Sequence, residues 1–556
     1  MRKKTLLGMT VATAAVATLL MVSDLVGADV SVGVALTGQV SSKEEGPMEG
    51  VLVSARNDGS TITITVASDQ QGRYSFPSTK VGPGRYAIRI RAVGYDLDGP
   101  KTVDVGAGKT SADLTLRKAK NVASQLTNAE WLASIPGTDN QKKQLFGCTN
   151  CHTLEPTVRS AHDAEAFTKV MERMASYANM SFPLHPQTRV SAPNLTRRFG
   201  AGTDDFAEYL ATINLSAGST WPYALKTLPR LTGRSTRVII TEYDLPRRTI
   251  EAHDVVTDAD GTVWFSNFGE QFLGKLDPRT GQVKEYPVPL HRPGFPTGML
   301  DLETDQDGNI WLSMMYQNGI AKFDRKTETF KTWTLPPELT NDETQQSMVG
   351  PQHWNVDGKV WLNDAGGATG VYRLDLATGK FEQWMPYKGL PPGPHSVYGL
   401  YADSKNNLFF LDFGGENIGR VDAKTGILRL IPTPTPRSRP RRGRIDAQDR
   451  LWFAEFHGGK IGMFDTKTEQ FQEWAVPTPY TAPYDVVLDK NGEVWGAGME
   501  ADRIMRMDPK TGAFTEYQLP RQTNIRRVFV DNSTTPVTFW VGNNEGASII
   551  KLEPQD

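Results

Sequence analysis

Two cysteines and a histidine form the stretch of the sequence with the most specific chemistry. Cys148 and Cys151 are the only cysteines of the 556-residue chain, and His152 follows Cys151 directly. This pattern is typical of covalent haem c attachment, because two thiols about one helical turn apart can add to the two vinyl groups of one porphyrin. The adjacent histidine then binds the haem iron as proximal ligand. The sequence therefore predicts one covalent haem c, attached at Cys148 and Cys151, with His152 on the iron.

Two other uses of the cysteines fit less well. A structural zinc site would need two more good ligands, from a chain that has no other cysteine. A dithiol redox pair would not require the histidine, and the surrounding sequence lacks the βαβ pattern expected beside one. We therefore favour haem attachment over both.

The sequence offers several candidates for the sixth iron ligand, namely Met171, Met174, Met180, His162 and His185. A methionine ligand raises the redox potential and suits electron transfer. Met171 and Met174 lie in an amphipathic helical pattern, where methionine is usually a core residue. We rank Met174 before Met180, which lies in the following loop, and keep His185 as a bis-histidine alternative.

Residues 1–28 have the pattern of a signal peptide. Arg2, Lys3 and Lys4 precede a mostly apolar stretch over residues 5–22, and small residues up to Ala28 offer a cleavage site. Cleavage would leave no transmembrane segment, whereas an uncleaved membrane anchor is the alternative. Both predict export, for example to the periplasm, and haem c is attached on that side of the bacterial inner membrane.

Length and charge narrow the class of protein. A chain of 556 residues is too long for one core, so several domains are expected. Its 61 Lys and Arg residues are balanced by 63 Asp and Glu residues, which gives no electrostatic case for binding nucleic acid.

Residues 29–118 contain short stretches of alternating apolar and polar residues separated by turn residues, which predicts an antiparallel β-sandwich. The sequences at 36–40, 69–74 and 92–95 resemble the carboxypeptidase regulatory-like domain. Because the segment has no cluster of titratable residues, the resemblance implies a structural or docking module.

Residues 119–220 are helical in pattern and contain the Cys148–His152 motif. The pattern at 205–213 resembles the closing helix of a small cytochrome c domain, which in that family packs across the helix that carries the motif. Arg173 and Met174 resemble an arrangement in small bacterial cytochromes fused to propellers. The resemblance implies one haem in an apolar pocket.

Residues 237–556 repeat with a period of about 45 residues, which indicates propeller blades. The same place in successive repeats is held by seven aromatic residues, Trp264, Trp311, Trp361, Phe409, Trp452, Trp495 and Trp540. Seven anchors predict seven blades. The last repeat lacks a fourth strand, and residues 237–246 are expected to supply it and so close the ring. The predicted fold is therefore multidomain and mainly β, with a β-sandwich, a small helical haem domain and a seven-bladed propeller.

The repeats resemble virginiamycin B lyase, a propeller enzyme that opens streptogramins. Glu455 matches a position that in the lyase supplies a carboxylate near the metal. The lyase histidine paired with it follows a proline fourteen residues earlier, where this chain has Arg441 after Pro440. Since the imidazole base is missing, streptogramin cleavage is not expected. His253 and His353 are weak candidates for a base or a metal ligand, and a divalent metal at the propeller has no support from the sequence.

Residues that precede the inner strands are expected to converge on the channel mouth of the propeller. They are His253, Asp254, Thr297, His353, Tyr398, residues 441–444, Tyr484, Asp485, Arg526 and Arg527. Five arginines between 437 and 444 are the densest charge cluster of the chain. The cluster is either an anion-binding or docking surface, or a solvated loop whose arginines pair with nearby acids.

The haem motif is more specific than any propeller residue, so the favoured hypothesis is an exported haem protein that mediates electron transfer. The propeller would then bind a redox partner protein or a small-molecule substrate. The alternatives are a lyase or hydrolase acting at the propeller mouth and a non-catalytic binding scaffold.

Overall fold

The computed structural model describes residues 33–199, 202–215, 220–350, 357–366, 369–391 and 393–556. The predicted signal peptide, residues 1–28, and His353 lie outside these residues. Across the described ranges, no helix is both long and apolar enough to cross a membrane.

The N-terminal part is a β-sandwich. Its strands are β1 (Val34–Ser42), β2 (Gly46–Pro47), β3 (Leu52–Asn57), β4 (Ile62–Ala67), β5 (Arg73–Pro77), β6 (Gly84–Arg91), β7 (Tyr95–Asp98), β8 (Thr102–Val105), β9 (Thr110–Ser111) and β10 (Leu114–Lys118). One sheet is built around β1 and the other has the order β4-β3-β6-β8. The sheets enclose a core that includes Leu36, Val53 and Phe76. Strand β1 pairs in parallel with β9 and β10, so the prediction of a wholly antiparallel sandwich was wrong.

A helical segment follows the sandwich. Its α-helices are α1 (Asn128–Ser134), α2 (Asp139–Gln144), α3 (Glu155–Val158), α4 (Ala164–Ala175), α5 (Leu195–Phe199) and α6 (Thr203–Thr212), and 3₁₀ turns cover Val122–Gln125 and Leu145–Gly147. Helix α1 begins with a capping box between Thr127 and Glu130. Helix α4 buries Phe167 and Met171 on one face, as its amphipathic pattern predicts.

The remaining strands form a propeller. It is preceded by the 3₁₀ turn Gly233–Thr236 and strand β11 (Val238–Asp244). The first three blades are β12 (Ala252–Thr257), β13 (Val263–Asn267), β14 (Phe272–Asp277) and β15 (Gln282–Pro287); then β16 (Leu302–Thr304), β17 (Ile310–Ser313), β18 (Gly319–Asp324) and β19 (Thr329–Thr334); then β20 (Val349–Gly350), β21 (Lys359–Asn363), β22 (Val371–Asp375) and β23 (Phe381–Trp384). The next three blades are β24 (Val397–Ala402), β25 (Leu408–Asp412), β26 (Asn417–Val421) and β27 (Leu428–Pro432); then β28 (Pro440–Ile445), β29 (Arg450–Glu455), β30 (Lys460–Asp465) and β31 (Phe471–Ala475); then β32 (Pro483–Leu488), β33 (Val494–Gly498), β34 (Arg503–Asp508) and β35 (Ala513–Gln518). A further 3₁₀ turn covers Pro337–Leu339. Strands β36 (Val528–Asp531), β37 (Thr538–Asn543) and β38 (Ser548–Pro554) belong to the last blade.

The aromatic anchors explain why the repeat is conspicuous in the sequence. Each lies on the second strand of its blade and is buried. The indole N–H of Trp264 donates to Asp258 at 2.9 Å, and Trp311 donates to Asp305 at 3.0 Å. Trp311 also stacks on Trp333 of the outer strand, with ring centroids 5.4 Å apart. Because each blade needs a large buried side chain at this place, an aromatic anchor recurs once per blade.

The ring closes as predicted, with one addition. Strand β11 pairs antiparallel with β38 and so supplies the fourth strand of the last blade. The other edge of β11 pairs antiparallel with β4 of the sandwich. The last blade and one sandwich sheet therefore form a continuous eight-stranded sheet, β36-β37-β38-β11-β4-β3-β6-β8. This pairing covers the exposed edge of the blade.

Candidate functional site

The Cys148–His152 motif lies on a tight turn after the 3₁₀ turn Leu145–Gly147. The amide of Cys148 donates to the carbonyl of Leu145 at 2.9 Å, and the amide of Cys151 donates to the carbonyl of Cys148 at 3.4 Å. Cys148 and Cys151 are unpaired thiols, one turn apart and partly exposed. The spacing predicted from the sequence is therefore present in the fold.

The imidazole of His152 is oriented by its own backbone. Nδ1 lies 2.7 Å from the carbonyl oxygen of Thr153, which can only accept a hydrogen bond. Nδ1 therefore carries a proton, and in the neutral ring this leaves the lone pair on Nε2. Histidines that bind metals commonly use the second nitrogen in this way, since the hydrogen bond fixes both the tautomer and the ring orientation.

An apolar cleft lies beside this turn, and we call it the motif cleft. It is lined by Gly147, Cys148, Cys151, His152, Thr157, Phe167, Val170, Met171, Met174, Arg198, Phe199, Phe206 and Leu210. The structure thus brings both thiols, the imidazole and two methionine side chains to one cleft walled by α4, α5 and α6. Apolar walls and sulfur donors are the surroundings in which haem is held in proteins.

The other candidate ligands lie elsewhere. Met180 is fully buried in the core and does not line the motif cleft. His162 is exposed and packs against the ring of Phe167, with centroids 5.4 Å apart. His185 pairs with Phe182 through the backbone in the loop after α4. Among the five candidates, Met171 and Met174 are therefore placed to reach a group in the cleft.

The thiols are not set up as a redox pair. Burial raises the pKa of Cys148 to about 12, and burial also raises the pKa of Cys151, although Arg198 opposes both shifts. Reactive dithiols have lowered pKa values, because the thiolate is the nucleophile. The pKa values of Cys148 and Cys151 are raised instead, so these cysteines do not have the environment of a reactive dithiol.

The turn is held on the mouth of the propeller. The hydroxyl of Thr149 lies 2.7 Å from a carboxyl oxygen of Glu500. The side-chain amide of Asn524 donates to the carbonyl of Thr149 at 2.8 Å, and Arg526 donates to the carbonyl of Asn150 at 2.6 Å. The helical segment therefore covers this face of the propeller.

Aromatic packing completes this contact. Phe146 packs edge-on against Phe456 of the propeller, with centroids 5.2 Å apart. The amide of Ala129, in the first turn of α1, donates to the carbonyl of Glu500 at 2.8 Å. That amide is one of the helix N-terminal donors with no partner inside the helix, and the propeller satisfies it.

Glu500, Asn524 and Thr149 were not predicted as site residues. The blade consensus contains no signal for Glu500, because it lies in the loop beyond β33. Burial raises the pKa of Glu500 to about 8 and that of Glu545 to about 7, and burial also raises the pKa of Glu251. Buried carboxyl groups with raised pKa values therefore lie under the motif turn.

His253 is not an accessible base. It is fully buried, its Nδ1 lies 2.6 Å from Asp254, and its Nε2 lies 3.3 Å from the hydroxyl of Tyr484. Burial lowers the pKa of His253 to about 3, although Asp254 opposes the shift. Its hydrogen bonds hold it inside the mouth, so the prediction of a base or ligand there finds no support.

Two members of the arginine cluster, Arg441 and Arg442, are buried inside the propeller, whereas Arg437 is exposed. Arg442 is fully buried and forms ion pairs with Asp254 at 3.0 Å and Asp301 at 2.5 Å. Arg527 pairs with Asp254 at 3.1 Å and with Glu303 at 2.9 Å. These pairs cross the axis between different blades. Arg442 therefore pairs with acids, as the second alternative expected, but it is buried rather than solvated and does not form an anion-binding surface.

Arg441 is the residue that the resemblance aligned with the lyase histidine. Its guanidinium lies 3.8 Å from the ring centroid of Tyr484, 4.3 Å from Phe413 and 4.4 Å from Phe456. A cation caged by aromatic rings is stabilised by their negative faces. A guanidinium in such a cage cannot act as a base near neutral pH.

Glu455 is fully buried, and among the described residues neither of its carboxyl oxygens has a hydrogen-bond partner. Burial raises its pKa to about 8, and the nearby Glu473 acts in the same direction. No group of three or more His, Cys, Asp or Glu side chains arranged to hold a metal ion occurs in the ranges that the structure describes.

Comparison with known proteins agrees with this division of the chain. Residues 35–117 match the model of the carboxypeptidase regulatory-like domain, and residues 390–555 match that of the virginiamycin B lyase family. Comparison with curated proteins gives no match. The Cys148–His152 turn lies between the two matched segments.

Solved structures show a similar propeller. A streptogramin B lyase is 24% identical, with 58% of this chain and 99% of that chain covered and a TM-score of 0.50. The virginiamycin B lyase from Staphylococcus aureus is 23% identical, with 57% and 99% covered and a TM-score of 0.48. The first likeness shows the propeller fold. The chain is thus a multidomain, mainly β protein with a carboxypeptidase regulatory-like sandwich and a virginiamycin B lyase-like propeller.

Proposed function

We propose that this protein is an exported haem c protein that takes part in electron transfer. The observation that carries the proposal is the motif cleft, in which Cys148, Cys151, His152 and Met174 meet among apolar walls. Export is proposed from the pattern of residues 1–28. Residues 119–220 are proposed as the haem-binding domain.

The residues present fit haem c. The thiols of Cys148 and Cys151 would form the thioether bonds, and Nε2 of His152 is left for the iron by the hydrogen bond of Nδ1 to Thr153. Met174 is the proposed distal ligand. Bound haem supplies one-electron oxidation and reduction, while the apolar walls formed by Phe167, Val170 and Leu210 exclude water.

The propeller is proposed to orient the haem-bearing turn. Glu500, Asn524 and Arg526 fix the backbone and side chain of the turn from below. Its mouth is therefore occupied by the chain itself, which argues against a substrate or partner bound there. A partner or substrate would instead approach from the side of the turn that faces solvent.

The test is to produce the full chain in a host that exports it and attaches haem c. We expect the purified protein to retain haem after denaturation and to show a sharp c-type band when reduced with dithionite. The Cys148→Ala/Cys151→Ala double variant should lose the covalent haem. A wild-type protein without covalent haem, made beside a cytochrome c that matures normally in the same host, would contradict the proposal.

A further inference from the structure

A second cleft opens on another side of Cys151 and His152, and we call it the junction cleft. It lies where the sandwich, the helical segment and the propeller meet, and its volume is about 680 Å³. This volume is in the range of clefts that bind small organic molecules. The motif cleft and the junction cleft share two lining residues, Cys151 and His152.

One wall of the junction cleft is apolar. Leu184 is 52% exposed and is one of the few large apolar side chains of the described residues that solvent reaches to this extent. Phe182 and Tyr95 line the cleft with it. Exposed apolar side chains that line a concave site commonly mark a place where a ligand binds.

The charged groups of the cleft are mostly arginines, and among the described residues one of them, Arg248, has no charged partner. Arg521 is fixed by Glu242 at 2.7 Å and Asp244 at 2.8 Å, and Arg91 is fixed by Asp502 at 2.6 Å. Arg248 is exposed and has no ion pair or hydrogen-bonded partner in the part of the chain that the structure describes. Its guanidinium therefore has free donors that match a carboxylate.

Glu545 is the acidic residue on the cleft lining. Its carboxyl accepts a hydrogen bond from Asn524 at 2.9 Å. Since burial raises the pKa of Glu545 to about 7, it is only partly ionised at neutral pH and offsets only part of the positive charge. The cleft is thus cationic, with an apolar wall.

We propose that the junction cleft binds a small organic acid with an apolar body, its carboxylate on Arg248 and its body against Leu184 and Phe182. The ligand would lie beside Cys151 and His152. This inference deepens the proposed function, because it names the chemical class of molecule that the haem-bearing turn meets.

The probe is 2-naphthoate, titrated into the haem-loaded full chain by isothermal titration calorimetry. Because a charge-assisted hydrogen bond is lost, we expect Arg248→Gln to weaken binding by about 10-fold or more. Leu184→Ser should weaken it several-fold. Arg279→Gln is the matched control, since Arg279 is 88% exposed and lies outside the cleft, and it should leave the affinity unchanged.

A neutral analogue, 2-naphthamide, distinguishes the contribution of the carboxylate charge to binding from that of the apolar contact. It should bind the wild type more weakly than 2-naphthoate and should be insensitive to Arg248→Gln. Circular dichroism of each variant checks that the chain is folded. Absence of binding to the folded wild type, or equal 2-naphthoate affinity for wild type and Arg248→Gln, would overturn the proposal.

Fluorescence distinguishes this proposal from the proposed function. A haem beside the cleft should quench naphthoate emission in the wild type. The wild-type chain made in a host without the haem-attachment machinery should still bind 2-naphthoate, with the same dependence on Arg248, but without quenching. Binding that depends on Arg248, in protein that was made in the haem-attaching host and still lacks haem, would support the cleft and contradict the haem assignment.

Discussion

The propeller axis and the Cys148–His152 turn are neighbours that satisfy their polar groups in opposite ways. At the axis, fully buried Arg442 is bound by the carboxylates of Asp254 and Asp301. At the turn, Nε2 of His152 has no hydrogen-bonded partner in the described ranges, although its Nδ1 is firmly held. Charges that are already paired hold blades together, whereas donor atoms left open in an apolar cleft are available to a ligand. This difference in pairing distinguishes residues that hold the blades together from residues that are open to a ligand, and it does so without comparison to any relative.

The largest expected effect is at the axis. Arg442→Met removes one partner of a buried ion-pair network and leaves Asp254 and Asp301 short of positive charge. Breaking such a pair costs about 3–5 kcal/mol of unfolding free energy. Guanidinium unfolding of the full chain, followed by tryptophan fluorescence, measures it. Arg279→Met, at an exposed position, is the control, and a cost below about 1 kcal/mol would show that the network is not structural.

The two candidate methionines should behave oppositely. Met180 is fully buried outside the motif cleft, so Met180→Ala should cost about 2–5 kcal/mol of unfolding free energy and leave the iron ligation intact. Met174→Ala should instead abolish the weak near-red absorption band that oxidised methionine-ligated haem shows. Loss of that band in Met180→Ala with retention in Met174→Ala would reverse our assignment.

The smallest expected effect concerns Glu500. The hydroxyl of Thr149 lies 3.0 Å from the carbonyl of Phe146 and 2.7 Å from Glu500. Because this hydroxyl has one hydrogen, both contacts are full hydrogen bonds only when the carboxyl of Glu500 is protonated and donates. Its pKa of about 8, raised by burial, agrees with that state.

The raised pKa of Glu500 sets the direction in which the stability of the protein changes with pH. With its pKa raised above the unfolded value, Glu500 binds more protons in the folded state, so its contribution to stability falls as the pH rises toward 8. Burial lowers the pKa values of His253 and His457 to about 3 and about 2, which has the opposite effect below pH 6.5. The window from about pH 6.5 to 8 therefore isolates the buried carboxyl groups.

We expect Glu500→Gln, which keeps a donor toward Thr149, to be more stable than the wild type at pH 8 by about 1 kcal/mol and equal to it near pH 6.5. Urea unfolding at both pH values measures the difference. Glu165→Gln, at a side chain 79% exposed, should change neither value. A constant difference between wild type and Glu500→Gln across the window would contradict a raised pKa.

Much of the fold could be predicted because its signals are local. The aromatic anchors recur since each fills the same buried place on the second strand of its blade, and Trp264, Trp311, Trp452 and Trp495 repeat the same bond from indole to aspartate. Alternation in the sandwich strands follows from their buried and exposed faces. The parallel pairing of β1 with β10 could not be predicted, because it joins residues about 74 positions apart, such as Val40 and Leu114.

The roles of Arg441 and Arg442 show why the site was harder than the fold to predict from the sequence. Side chains of neighbouring strand residues point to opposite faces, so one residue of register decides which arginine faces the axis. The pairing of β28 with β29 shifts register between Pro440 and Gly443. Arg441 is consequently caged by aromatic rings, while Arg442 forms the ion pairs that cross the axis.

The sequence by itself determined the spacing of Cys148, Cys151 and His152 on one turn and the number of blades, since both depend on residues close together in the chain or on a periodic pattern. Only the tertiary structure decided that this turn covers the propeller mouth, because the contact between Thr149 and Glu500 joins residues 351 positions apart. It also decided that Met174, rather than Met180, lies in the cleft with the motif. Such contacts depend on how whole elements pack, and no local pattern records them.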